Sequence, residues 1–220
     1  MTAVIDLSVP DYNHIIEETF TRNSLAVDEI DAVLSDLREH IRKIDERVFV
    51  KRNELLIAIR LVEAFRIFKW IKVCLACGSY QSVFRELRFM LDAIAQACYI
   101  DLNHVDVPLS CKLEVFKALG ENGGFIGSRL FERISGFQEK RRLIDLYKQL
   151  SRFVHPSIEE SRKRIESRGS EEEVVDSLKR NRFDPVLLAE ALTKCKDVAG
   201  MLLSVNSHFV NELRNCSETE

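Results

Sequence analysis

The sequence has little glycine and proline, 8 and 4 residues out of 220, and no strong excess of charge of either sign. Scarce turn residues argue against a β-sandwich or barrel, which needs many tight turns. A net charge of −3 excludes the global basic field that marks many nucleic-acid and membrane-surface proteins. Six cysteines are too few for a disulfide framework in a chain this long, so we expect reduced thiols. Because 46% of the residues are hydrophobic, the chain can bury a core, and we expect one domain over residues 1–220.

Targeting signals are also missing. The first ten residues lack a basic stretch followed by an apolar run, so no signal peptide is predicted. The most apolar segment, Leu55 to Cys77, contains five charged side chains that would be costly inside a bilayer, namely Arg60, Glu63, Arg66, Lys69 and Lys72. The sequence therefore predicts a cytoplasmic protein without a membrane segment.

Helical periodicity dominates the first third of the chain. No glycine or proline interrupts the 67 residues between Pro10 and Gly78, and we expect a short helix over residues 12–21. After Asp28, a plausible first cap, apolar residues alternate at spacings of four and three: Ile30, Leu34, Leu37, Ile41, Ile44 and Val48. This heptad seam is typical of a helix lying along a partner, and it favours a homodimer. The pattern changes phase around residues 49–53, so we expect either one long helix with a kink or two helices end to end.

Further helices are predicted along the rest of the chain. Gly78 and Ser79 predict a helix end followed by a new cap, and periodic apolar residues predict a helix over residues 80–103. Shorter helices are expected over residues 111–119, 129–134, 138–154 and 157–167, and an exposed connection over 170–183. Asp184 and Pro185 predict the start of a last helix, with a tail that frays over residues 214–220. The predicted fold is all-α, a helical bundle with a long antiparallel central pair.

Two motifs that often carry chemistry favour structural interpretations here. Cys74 and Cys77 form a C-x-x-C pair, but no second cysteine pair or closely spaced histidine pair accompanies it, so we expect two small side chains packed near a turn. The glycine-rich segment 120–127 lacks the Gly-Lys-Ser/Thr ending of a phosphate loop and favours a flexible connection. We therefore predict neither a metal site nor a cofactor.

A basic stretch is the first functional candidate. Between Phe125 and Arg168 there are 11 basic and 6 acidic residues, a local net charge of +5 in an acidic chain. Such asymmetry is typical of a patch for RNA or another polyanion. The ordinary solvated faces of two helices would produce the same pattern, and both interpretations stay open.

His155 is the second candidate. It lies between the end of a predicted helix and Pro156, and two hydroxyl residues flank it, Ser151 and Ser157. On the predicted helix 80–103, Arg88 and Asp92 are four residues apart and can pair. Pairing His155 with these groups would set its tautomer and pKa for acid–base chemistry or phosphate binding. The alternative is a structural histidine that caps a helix and holds two central helices in register.

Several motifs together resemble the all-helical HEPN-like group, which includes abortive-infection-type prokaryotic proteins. The resemblance covers residues 54–157 and rests on Leu75-x-x-Gly78-x-Tyr80, Phe84-Arg85-x-Leu87-Arg88-x-x-Leu91-Asp92 and Leu150-Ser151-x-x-Val154-His155-Pro156-Ser157. It implies a helical bundle with a long antiparallel pair and, in many members, a dimer. Active members cleave RNA without a metal in toxin–antitoxin or phage-defence systems, and others only bind nucleotides or proteins.

Active members of that group carry an arginine followed, after four to six residues, by the histidine. At that distance from His155 this sequence has Leu150, Gln149 and Lys148, and Arg152 is closer. The resemblance thus implies His155 as acid or base, with Lys148, Arg152 or Arg88 stabilising phosphate. From the whole sequence we predict a binding module for RNA, a nucleotide or a partner protein, with a metal-independent ribonuclease as the alternative.

Overall fold

The computed structural model describes residues 12–22, 24–43, 55–104, 107–121, 128–134, 136–154 and 183–217. Within these ranges the chain forms helices and no strand, which confirms the all-α prediction. The helices are α1 (Tyr12–Arg22), α2 (Ser24–Lys43), α3 (Leu56–Ala76), α4 (Tyr80–Asn103), α5 (Leu109–Glu121), α6 (Ser128–Arg133), α7 (Lys140–Val154) and α8 (Pro185–Ser217).

Helices α3 and α4 form an antiparallel hairpin joined by three residues. Gly78 adopts a φ of +67°, a left-handed conformation that glycine tolerates without strain. Its N–H donates to the carbonyl of Leu75, and the Ser79 N–H donates to that of Cys74. These two bonds make a Schellman end for α3. The predicted helix end is confirmed, but the Ser79 hydroxyl bonds to the Ser82 hydroxyl rather than capping α4.

Helix α4 is the central element of the bundle. It packs against α3, α7 and α8, and its bounds match those predicted from the apolar period. Apolar side chains cover most of its circumference, because three neighbours must each be met by a different face. Fully or nearly fully buried examples are Val83, Phe84, Leu87, Leu91, Ile94, Ala95, Cys98 and Ile100.

Helices α2 and α3 pack side by side and antiparallel, so the expectation of a kinked rod or of two helices end to end is wrong. The Arg38 guanidinium lies over the Phe65 ring, and Lys72 pairs with Asp31 at 2.8 Å. The phase change at residues 49–53 lies outside the described residues. Folding back lets the apolar faces of both helices bury each other, which an extended rod would leave in water.

The described part of the heptad seam is occupied within the chain. Ile30 and Leu37 are buried in the core, and Leu34 packs against it, where α2 meets α3 and α8. Helix α2 also begins at Ser24, one turn before the expected cap at Asp28. The predicted homodimer therefore needs a surface other than this half of the seam.

Helix α8 begins as the sequence predicts. The Asp184 carboxylate accepts from the N–H groups of Val186 and Leu187, each at 3.0 Å, as an N-cap does. The apolar residues on the inner side of α8 are buried, and they are Leu188, Leu192, Cys195, Val198, Ala199, Leu202, Val205 and Phe209. The helix continues to Ser217, into the tail that is expected to fray over residues 214–220.

The remaining predictions fall into two groups. Helices α1, α5, α6 and α7 confirm the helices predicted over residues 12–21, 111–119, 129–134 and 138–154, with small shifts in their bounds. The basic helix over residues 157–167, residues 122–127 of the glycine-rich segment and residues 170–182 of the connection lie outside the described residues. In the part of the chain that is described, none of the helices is both long and apolar enough to cross a membrane.

Candidate functional site

Helices α4 and α7 carry the candidate residues that the structure describes. The rings of Phe84 and Phe153 stack with centroids 4.0 Å apart, and one turn further along, Arg88 contacts Tyr147. Residue numbers rise on α4 as they fall on α7, so the two helices are antiparallel. The predicted antiparallel central pair is present, and its contacts run to the last turn of α7.

Arg88 is held by Tyr147 from α7. One terminal nitrogen, Nη2, donates to the Tyr147 hydroxyl at 2.8 Å, and the guanidinium carbon lies 5.0 Å from the ring centroid. Phe131 of α6 packs edge-on against the same ring at 5.1 Å. The Nε of Arg88 is buried, and no group in the described residues accepts its hydrogen bond. The guanidinium is therefore held between two helices, and its buried Nε–H finds no acceptor among the described residues.

Tyr147 and Asp92 complete this cluster. Burial raises the pKa of the Tyr147 hydroxyl, and the bond from Arg88 opposes that shift. The Asp92 carboxylate raises the pKa further through its negative charge and a hydrogen bond. Because all three effects act on one hydroxyl, Arg88, Asp92 and Tyr147 form a single polar cluster between α4 and α7. The spacing in sequence predicts that Arg88 and Asp92 lie together, but it does not indicate Tyr147.

Ser151 lies one turn after Tyr147 on the same helix. Its Oγ donates to the Tyr147 backbone carbonyl at 2.8 Å, a bond that serine often makes to its own helix. The half-buried hydroxyl is thereby oriented towards the helix backbone. Ser151 contacts the polar cluster only through the backbone of Tyr147.

The side chains of Lys148 and Arg152 point away from the polar cluster. Both are exposed on the outer face of α7, where Arg141 and Asp145 continue the same stripe. Among the described residues, no acidic group forms an ion pair with either cation, and neither bonds to Arg88. The structure therefore separates the predicted phosphate-binding residues into a half-buried guanidinium and an exposed basic edge. We define the basic edge as Arg141, Lys148 and Arg152.

His155 and Ser157 lie outside the described residues. Helix α7 ends at Val154, the residue that directly precedes His155. The predicted contact between His155 and the Arg88–Asp92 pair is untested for that reason. The described part of the site consists of the polar cluster and the basic edge.

An open groove of about 620 Å³ lies beside the basic edge, between α7 and α8. Its charges are largely satisfied within the protein, since Glu139 accepts from Ser204 and from Arg142. These two bonds lower the pKa of the Glu139 carboxyl. Lys194 donates to Gln149 at 2.7 Å on the far side. The internal pairing indicates a polar helix contact rather than a binding pocket.

A second buried polar cluster joins α3, α4 and α5. Lys112 and Asp101 form an ion pair at 3.0 Å with both side chains fully buried. The other carboxylate oxygen of Asp101 accepts the N–H of Ile57 at 2.9 Å, in the first turn of α3. Leu55, the residue at the N-cap position of α3, provides no side-chain cap, so Asp101 supplies it from the neighbouring helix. Burial raises the pKa of the Asp101 carboxyl, and the bonds from Ile57 and Lys112 oppose that shift.

The cysteine pair behaves as two packed side chains near a turn. Cys74 is buried and Cys77 is half-buried, at the end of α3. Burial raises the pKa of the Cys74 thiol to about 11, so it is a thiol at neutral pH. Within the described ranges, histidine, cysteine and carboxylate side chains do not gather in a group that could hold a metal ion.

The chain was compared with family models, curated proteins and solved structures. No family model matches the chain, and no curated protein or solved structure is significantly similar to it. The functional argument therefore depends on the geometry of this chain.

Proposed function

We propose that this chain is a cytoplasmic binding module of the HEPN-like kind that recognises RNA through the basic edge of α7. The observation that carries the proposal is the antiparallel α4–α7 pair. Its interface fixes Arg88 against Tyr147, and its outer face presents Lys148 and Arg152 without acidic partners among the described residues. A rigid helix with unneutralised cations is a suitable surface for a phosphate backbone.

The charge pattern of α7 supports a polyanion more than a protein ligand. Lys148 and Arg152 are four residues apart, so a rise of about 1.5 Å per residue places them one above the other along the helix. Large apolar side chains are missing from the exposed positions of α7, which are Arg141, Arg142, Asp145, Lys148, Gln149 and Arg152. Protein interfaces need an apolar centre, whereas phosphate contacts need only cations and donors.

Fluorescence anisotropy with a labelled single-stranded RNA tests the proposal. Binding should weaken steeply with salt, with a log–log slope of about −0.7 for each phosphate contacted. Lys148→Glu and Arg152→Glu should each weaken binding and flatten that slope. Lys117→Glu is the matched control, because Lys117 is an exposed lysine on a different helix. Equal effects of the Lys117 and Lys148 substitutions would show that the basic edge is not the binding surface.

A metal-independent ribonuclease is the second candidate, and the polar cluster favours it. Arg88 of α4 bonds to Tyr147 of α7, two turns before α7 ends at Val154, and the next residue is His155. His155 would act as acid or base, with Arg88, Lys148 or Arg152 stabilising the charge on phosphate. Ser157, two residues on, would belong to the same binding set.

Cleavage of mixed RNA in chelator separates the two candidates. An enzyme should cleave RNA, and His155→Ala should abolish that cleavage while the far-UV circular dichroism stays unchanged. His14→Ala is the control, because His14 is an exposed histidine on α1. Cleavage that persists in His155→Ala, or is missing from the wild type, would contradict the ribonuclease and leave the binding module.

A further inference from the structure

The outer face of α3 is apolar and cationic, which is unusual for a helix surface in contact with water. Exposed positions of α3 hold four apolar and two basic residues and no acidic one, namely Ile59, Val62, Arg66, Lys69, Trp70 and Val73. We call these six residues the α3 face. Trp70 is 52% exposed, and Val62 and Val73 are nearly half exposed. Contiguous apolar surface of this kind marks an interaction site, whereas isolated exposed residues do not.

The spacing of the α3 face matches a helix-binding stripe. Ile59, Val62, Arg66, Lys69 and Val73 follow one another at steps of three and four residues. Trp70 lies four residues after Arg66, so all six share an arc of about 100° on the helix. The inner face of α3 is already used for the core through buried residues such as Leu61, Phe68 and Ile71. A helix that is apolar on both sides needs a second neighbour. In the described part of the chain, that neighbour is missing on the outer side.

The position of Arg66 decides between possible occupants. Arg66 is the midpoint of the stripe, which runs from Ile59 to Val73, and it lies on the same side of α3 as Trp70, one turn away. In a dimer with a two-fold axis at the centre of the stripe, Arg66 of one chain would face Arg66 of the other. Like charges buried together oppose such a dimer.

A lipid surface is also disfavoured. Interfacial helices bury an apolar face to a depth of about 5–10 Å and keep their cations on the opposite, polar face. Here Arg66 lies in the middle of the apolar residues, where insertion would desolvate its charge. Single-stranded nucleic acid needs flat rings for base stacking, and Trp70 is the one aromatic residue of the face. A carboxylate from a partner helix satisfies the guanidinium and leaves the aliphatic side chains to pack.

Among the described residues, the acidic groups near the α3 face are paired with cations outside it. Glu63 pairs with Arg60, and Asp31 of α2 holds Lys72 with both carboxylate oxygens at 2.8 Å. The charge of Arg66 is thus available to a ligand on the outer side. Trp and Arg are also the residues most often found at the energetic centre of protein interfaces.

We propose that the α3 face binds an amphipathic helix of a partner protein, with an acidic residue of that helix paired to Arg66 and its apolar residues packed around Trp70. This proposal is independent of RNA recognition, since α7 carries the basic edge and α3 carries this face. Either can fail without the other.

Selection from a phage-displayed library tests the proposal. The probe is a set of helices of about 18 residues, long enough to form in isolation, with leucines fixed at helical spacing and the other positions random. We expect enriched helices to carry Asp or Glu in the middle of the leucine stripe. Because Trp70 is the single tryptophan of the chain, binding should shift its fluorescence to the blue.

A charge swap supplies the specific readout. Arg66→Glu should weaken binding of an enriched helix at least tenfold, and changing the central acid of that helix to Lys should restore it. Lys117→Glu and Val186→Ser are matched controls on other helices, and both positions are exposed. No enrichment, enrichment without acids, or helices that bind Arg66→Glu equally well would overturn the proposal. A blue shift caused instead by phosphatidylserine vesicles, by oligouridylate or by concentrating the protein alone would also overturn it.

Discussion

Replacing Lys112 by Met should destabilise the protein more than any other single change of a basic residue in the described helices. The substitution keeps the length of the side chain and removes the ammonium that neutralises Asp101. Both side chains are fully buried, so the carboxylate is left without its ion-pair partner away from water. Breaking a buried pair in this way costs about 3–5 kcal/mol.

The cost should depend on pH in a defined direction. Burial already raises the pKa of the Asp101 carboxyl, and losing Lys112 removes one of the effects that lower it. A carboxyl whose pKa is higher in the folded state gains stability on protonation, so folding is favoured at low pH and loses free energy as pH rises through that pKa. Between pH 7 and pH 5.5, the penalty for Lys112→Met should shrink by up to about 2 kcal/mol.

Urea denaturation followed by far-UV circular dichroism measures both effects. Lys117→Met, on the exposed side of the same helix, should change the free energy of unfolding by less than about 0.5 kcal/mol. The double variant Asp101→Asn, Lys112→Met should lose about 1 kcal/mol, since no buried charge remains and the Asn carbonyl can still accept from Ile57. Equal costs for Lys112→Met and Lys117→Met, or a cost that grows on acidification, would refute this reasoning.

Four further predictions concern other parts of the structure. Tyr147→Phe removes the acceptor of the Arg88 bond and should cost about 1–2 kcal/mol in urea denaturation; an unchanged midpoint would contradict the polar cluster. Gly78→Ala forces a side chain into the left-handed region and should cost about 1 kcal/mol. Gly200→Ala should instead gain about 0.5–1 kcal/mol, because Gly200 is inside α8 with open space around it. Exposed Cys111 should react with a thiol reagent in the native state, whereas Cys195, whose pKa burial raises to about 12, should react only on unfolding; equal rates would contradict the core packing.

Local signals predicted most of the fold. The bounds of α4 and the start of α8 follow from groups that act within a few residues, the Gly78 turn and the Asp184 cap. The relation between α2 and α3 could not be predicted in this way. An apolar period shows which face of a helix is buried but does not identify the neighbour that covers it. A change of phase at residues 49–53 is equally compatible with a kink and with a reversal of the chain.

The candidate site was predicted less completely. The distance in sequence from His155 favours Lys148, but Lys148 faces outwards. The buried residues of α7 are Leu143, Leu146, Tyr147 and Leu150. Tyr147 could have been found, since it is one turn from Ser151 on the same side of the helix. Its pairing with Arg88 could not, because residues 59 positions apart meet only through tertiary packing.

The buried ion pair left a signal that the sequence analysis missed. Lys112 occupies the apolar stripe of α5 between Leu109 and Phe116, and Asp101 occupies that of α4 after Cys98. A charge on an apolar face is costly unless it is paired, so each position indicates a partner without naming it. The packing of α3, α4 and α5 then brings Asp101 and Lys112 together.

The packing of α8 against α4 has a consequence for biosynthesis. About 80 residues separate the end of α4 from the start of α8. At roughly 5–20 residues per second, a ribosome needs about 4–16 seconds to add them. During that interval the part of α4 that α8 will cover is open to other nascent chains. We therefore expect chaperone dependence to be concentrated in this window of translation and to lengthen when synthesis is slowed after Asn103.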